Sequence, residues 1–165
     1  MGVESGDDEI LKAIRKGINI EQVKKAVKII KEAGISLGTY FILGHPNETI
    51  QTIKKTAELA IKLNTNTIAV GIMVPYPGTN IYNMALRGEN GYQLLTQNWS
   101  EYDKYGGNAL QIKGLPYNIL VKWQRKILIN FYLKNFRIFD AIKYFWGKRK
   151  AILFLIKKFF LKNKF

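Results

Sequence analysis

Two short runs, ISLGTYFILG (residues 35–44) and TIAVGIMV (67–74), are apolar almost without a break and rich in β-branched or aromatic residues. A strand that is apolar at nearly every position has both faces covered, as in parallel sheets. Amphipathic helices flank both runs. In NIEQVKKAVKIIKEAG, residues Ile20, Val23, Val27 and Ile30 recur at helical spacing, Asn19 and Gln22 form a capping-box pattern, and Gly34 stops the helix. In TIQTIKKTAELAIKLN the stripe is Ile50, Ile53, Ala57, Ala60 and Ile61, with Asn47 as the expected cap. GVES at the start reads as a further strand, followed by a helix from Asp7 to Gly17. Proline cannot donate to a central ladder, so Pro75-Tyr76-Pro77-Gly78 ends the last strand, and Thr79 caps a short helix, NIYNMALRG. Strand and helix alternate three times with short connections. That order predicts an α/β fold with parallel strands and right-handed crossovers. Functional loops in such sheets follow the carboxyl ends of strands. Three such ends are expected: after Glu4-Ser5, after Gly44 and after Val74.

Charge divides the chain differently. The 165 residues carry a net charge of +14, but residues 1–116 hold 13 Lys and Arg against 11 acids, whereas 117–165 hold 13 against one, Asp140. The second part also has 13 of the 21 aromatic residues. Three regions are therefore expected: an α/β part at 1–87, a mostly irregular aromatic and polar segment at 88–116, and a basic, amphipathic helical tail at 117–165. The sequence has no cysteine, which excludes disulfides, cysteine nucleophiles and thiolate-bound zinc or iron–sulfur clusters within it. His45 is the single histidine, so a histidine-rich metal site is excluded as well. No apolar run approaches the roughly 18 residues that cross a bilayer, and no pattern at the N-terminus resembles a signal peptide. A cytoplasmic location is expected, with peripheral attachment to a membrane as an added reading.

The segments GVESGDDEIL, YFILGHPNET, VPYPGTNIY and NWSEYD occur in an order and spacing that resemble the second half of a radical SAM domain, closest to the cobalamin-binding group of methyltransferases and anaerobic ring cyclases. The resemblance implies a partial (β/α) barrel of six strands, of which this chain would hold the last three. It also implies S-adenosylmethionine as cosubstrate. The three-cysteine loop for a [4Fe–4S] cluster, and a cobalamin domain, would then lie in missing segments or on a separate polypeptide. A truncated protein, inactive alone, is the expectation. On the same resemblance Glu4 and Ser5 would face the ribose or methionine part of S-adenosylmethionine, Tyr40, Ile42 and Gly44 would line its adenine pocket, and backbone near Met73 and Pro75 would complete the wall. No residue is expected to be catalytic or to bind a metal.

The residues also admit plainer readings. Ser5 would simply cap the first helix, and Gly44 would only make the strand-to-turn transition. Glu48 would stabilise the first turn of its helix. Asn47 would tolerate a positive φ, and His45, where relatives are usually apolar, would be surface polarity. The tail would cover the barrel bottom, lie on an anionic membrane or, least expected, bind nucleic acid. A second reading of the whole is a non-catalytic, membrane-surface protein with a vestigial α/β part. Half a barrel would expose two strand edges and be poorly soluble alone.

Overall fold

The computed structural model describes residues 1–103 and 108–147. Strands β1 (Gly2–Glu4), β2 (Gly38–Leu43) and β3 (Thr67–Ile72) form one parallel sheet in that order. Helices α1 (Asp8–Ala13) and α2 (Ile20–Glu32) join β1 to β2, and α3 (Ile50–Leu63) joins β2 to β3. Helix α4 (Asn80–Arg87) follows. Strands β4 (Tyr92–Leu94) and β5 (Leu110–Ile112) then pair antiparallel, a small ribbon inside the otherwise irregular 88–116 segment. Helices α5 (Tyr117–Lys134) and α6 (Ile138–Gly147) complete the described chain. The expected tail helices therefore exist as far as residue 147, and the remainder of the tail lies outside the described residues.

Strand alternation separates the two faces of the sheet. Val3, Thr39, Phe41, Leu43, Ile68, Val70 and Ile72 point into the core, where they join Val23 and Val27 of α2, Ile53, Ala60 and Leu63 of α3, and Leu120, Ile127 and Phe131 of α5. Burial of each such side chain stabilises the fold by about 1.5–3 kcal/mol. The other face carries Gly2, Gly38, Tyr40, Ile42, Ala69 and Gly71, none of which is buried. These strands are thus less uniformly covered than their apolar sequence suggested.

The caps explain where helices begin and end. Asn19 and Gln22 form the expected capping box, and Thr79 caps α4. Thr49 with Thr52, rather than Asn47, makes the box that starts α3. Asn47 instead takes the left-handed conformation, φ 62°, in the turn before it. Helix α1 stops at Ala13, short of Gly17, because Arg15 turns left-handed (φ 54°) and the Lys16 N–H donates to the Leu11 carbonyl.

Helix α5 runs along β3, on the side away from β2. Gln124, buried on that helix, donates its amide to the Val70 carbonyl at 2.8 Å. Of the two open strand edges expected, the β3 edge is therefore covered by a helix. At β1, no strand pairs on the outer side among the described residues.

Candidate functional site

Glu4 ends β1 with a left-handed backbone, φ 70°, where the β1–β2 register shifts. A non-glycine residue held this way costs on the order of 1–3 kcal/mol, and such strain gathers at functional sites. The side chain lies back across Gly2: a Cβ on Gly2 would sit 2.5 Å from Glu4 Oε1. Lys16 donates to the same oxygen at 2.9 Å, and the Glu4 side chain keeps 20% of its surface exposed. Gly2 is the register partner of Tyr40. The Glu4–Lys16 pair therefore borders the uncovered sheet face, beside a tyrosine that is 56% exposed. Ile42 stands on that face beyond it, partly exposed.

Ser5 faces the other way. It is fully buried, its hydroxyl lies 3.4 Å from that of Thr56 on α3, and it accepts from the Asp7 N–H at 3.3 Å. Ser5 thus ties β1 to α3, and the capping of α1 expected of it falls to Asp7. The Asp7 carboxylate accepts from the N–H groups of Glu9 and Ile10 and pairs with Lys55 at 2.6 Å. Burial opposes ionisation of Asp7, but Lys55 and the helix N–H groups prevail and hold it below the usual carboxylate range.

At the end of β2, Gly44 has φ 97°, and a Cβ there would lie 3.1 Å from Ile112, 3.2 Å from Met73 and 3.6 Å from Leu120. What the glycine accommodates is close packing by β5, by Met73 just after β3, and by α5. Tyr92 on β4 donates its hydroxyl to the Gly44 carbonyl at 2.9 Å. Glu48 folds back under the same turn: its Oε2 accepts from the N–H of Gly44 and, at 3.3 Å, from that of His45. It therefore braces the turn before α3, which starts at Ile50, rather than the helix's first turn, and the carboxyl is buried with no partner for its Oε1. Burial pushes its pKa from 4.5 up to about 7, against the two N–H groups and with a small push from Asp7.

His45 corrects the sequence reading. It is 3% exposed rather than on the surface, and neither ring nitrogen has a partner. The turn is folded under by Glu48, which carries the imidazole inward. Burial lowers its pKa to about 4, opposed by Glu4 and reinforced by Lys16. Near the end of β3, Met73 and Pro75 border a small cavity of about 10 Å³ with Glu101, Asp103 and Tyr117. The Tyr117 hydroxyl is buried without a partner and pushed up to about 12, chiefly by burial and then by Asp103 and Glu101. A wider groove of about 950 Å³ lies elsewhere, between α4 and the β4–β5 ribbon, and none of the candidate residues lines it.

The expected set therefore divides. Glu4, Tyr40 and Ile42 share the uncovered face, Met73 and Pro75 border the β3 end, and Ser5 and Gly44 are taken up in packing. Among the described residues no group of three or more His, Asp and Glu could hold a metal.

Residues 1–60 match the profile of the radical SAM superfamily. An uncharacterized methyltransferase of Pyrococcus horikoshii is 35% identical over 133 residues, 81% of this chain and 28% of that protein. A tRNA-2-methylthio-N(6)-dimethylallyladenosine synthase of Herpetosiphon aurantiacus is 29% identical over 86 residues, 51% of this chain and 20% of that protein. The anaerobic magnesium-protoporphyrin IX monomethyl ester cyclase of Rubrivivax gelatinosus is 29% identical over 82 residues, 50% of this chain and 15% of that protein. The chain thus spans under a third of the length of each of these relatives.

Proposed function

We infer, for a chain that belongs to the radical SAM superfamily, that its three parallel strands are part of a (β/α) barrel and form the adenosyl-facing wall of a methyl- or methylthio-transferring enzyme. The observation that carries this reading is the strained Glu4, whose carboxylate is held over Gly2 by Lys16 beside the exposed ring of Tyr40. A carboxylate accepts from ribose hydroxyls or from an ammonium group, and charge-assisted bonds of this kind are the stronger ones. Tyr40 and Ile42 offer a flat apolar surface suited to an adenine ring. S-adenosylmethionine, when bound, supplies a sulfonium whose methyl or adenosyl carbon is available for transfer. These residues bind and orient it, while Ser5, Gly44 and Glu48 hold the strand ends in place.

The [4Fe–4S] cluster does not fit this sequence, because thiolate ligands are required and there is no cysteine. Its ligands, and any site for cobalamin, belong to residues outside this sequence, in the same polypeptide or another. The chain alone is then inactive.

The test is to co-express the chain with a cysteine-bearing radical SAM segment from a relative, and to measure iron content and S-adenosylmethionine affinity. We expect cluster uptake by the pair alone. In the pair, Glu4→Gln should weaken S-adenosylmethionine binding about tenfold or more, the worth of a charged hydrogen bond. Unchanged affinity in Glu4→Gln and Tyr40→Ala would remove the basis of the reading.

A further inference from the structure

The corner between α5 and α6 is built in a costly way. The N–H of Phe136 donates to the Leu133 carbonyl at 3.1 Å, and that of Arg137 to the Tyr132 carbonyl at 2.9 Å. This pair of bonds closes a helix through one left-handed residue, normally glycine. Here it is Phe136, φ 56°, and its ring is 91% exposed. A side chain in that conformation costs roughly 1–2 kcal/mol, and burial within the chain returns almost nothing. The corner is nevertheless firmly held. Arg137 donates to the carbonyls of Thr65 at 2.5 Å and Asn66 at 2.6 Å, just before β3, and to the Asp140 carboxylate at 2.7 Å.

Beyond the corner, α6 displays Ile138 (56% exposed), Phe139 (88%), Ile142 (57%) and Trp146 (67%). At 3.6 residues per turn these positions fall within an arc of about 100°. Leu133, at the end of α5, is exposed as well. Single exposed apolar side chains are ordinary, whereas a continuous face of them marks an interaction surface. The charge around this face identifies the partner. The two helices and their corner, residues 117–147, carry six Lys and Arg and one acid, Asp140, which Arg137 already binds. A second copy of the chain would bring the same positive charge to the contact and be repelled. A nucleic acid would neutralise the charge but gain little from Ile138, Ile142 and Leu133. An anionic bilayer supplies both a negative surface and an apolar interior.

We propose that the α5–α6 corner and the exposed face of α6 dock this protein on an anionic membrane surface. The contact is interfacial: no helix among the described residues is long and apolar enough to cross a membrane. It lies at the turn before β3, the strand at the opposite edge of the sheet from β1 and Glu4. The inference is independent of the proposed function.

The experiment is cosedimentation of the 165-residue chain with phosphatidylcholine vesicles, with and without roughly 30% phosphatidylserine. Binding is expected with the anionic lipid and should weaken at least about fivefold without it. The double variant Phe139→Ser, Ile142→Ser, both residues being exposed, should bind about tenfold less with an unchanged circular dichroism spectrum. Phe136→Gly should bind less while melting at a higher temperature, a combination that a purely structural role would not produce. The proposal is overturned if the double variant binds like the parent and only salt releases it, since charge alone then acts. It is also overturned if the anionic vesicles are ignored, whether or not the chain dimerises through this face or binds single-stranded RNA.

Discussion

Replacing His45 with leucine should tilt the pH profile of stability, because in the parent the contributions of His45 and Glu48 oppose each other. In the folded chain burial holds His45 near 4 and Glu48 near 7, against ordinary values of 6.5 and 4.5. Between about pH 4.5 and 6.5 the unfolded chain therefore carries a proton on His45 and none on Glu48, while the folded chain does the reverse. The two states bind equal numbers of protons at these sites, so the two contributions to the slope cancel. Removing either partner exposes the other. In His45→Leu only Glu48 remains, whose folded pKa is raised. Its contribution is present below about pH 4.5 and lost as pH rises toward 7, by about 3 kcal/mol. In Glu48→Gln only His45 remains, whose folded pKa is depressed. Stability then rises with pH from about 4 to 6.5, by a similar amount. Urea unfolding followed by circular dichroism at several pH values reads this directly. For m-values of about 1–3 kcal/mol/M, the midpoint should move by about 1–3 M across the window, in opposite directions for the two variants. Profiles that run parallel to the parent, or that slope the same way, would refute the account of two buried neutral groups.

Two further substitutions test the packing around the site. Gly44→Ala should destabilise by about 2–4 kcal/mol, because it adds a left-handed side chain against Ile112 and Met73, and thermal unfolding would register it. Gln124→Ala should cost about 1–3 kcal/mol in urea unfolding, since it leaves the Val70 carbonyl buried without its partner.

Much of the layout was readable because local chemistry and global fold agree. The apolar runs became β2 and β3, the Asn19–Gln22 box formed, and Asn47 adopted the positive φ that asparagine tolerates. The α3 cap was misplaced because Asn47 and Thr49 are both good capping residues, and only the turn geometry chooses between them. The burial of His45 left no local sign, since it depends on Glu48 reaching back to the N–H groups of Gly44 and His45. A turn of the form Gly-His-Pro-Asn-Glu looks solvated until that carboxylate is seen to fold it inward. The fate of Gly44 was hidden for a similar reason. Its neighbours Tyr92, Ile112 and Leu120 come from a segment with little periodicity and from a helix far along the chain. Glu4, the residue that most marks the site, gave one faint cue. A charged residue at the end of so short a strand, followed by Ser-Gly, suggests a backbone that cannot continue as regular strand.

The helix laid along β3 also sets the valency of the sheet. A block with two open edges is bifunctional: each addition presents a fresh edge, and stacking continues into fibrils. With α5 as a chain terminator on one side, the one open edge of this sheet among the described residues is β1. If β1 meets the β1 of another copy, the joined sheet has a helix-covered β3 at each end and does not extend further. Loss of the Gln124 contact would therefore bear on association as well as on stability, because it uncovers a second edge of the same sheet.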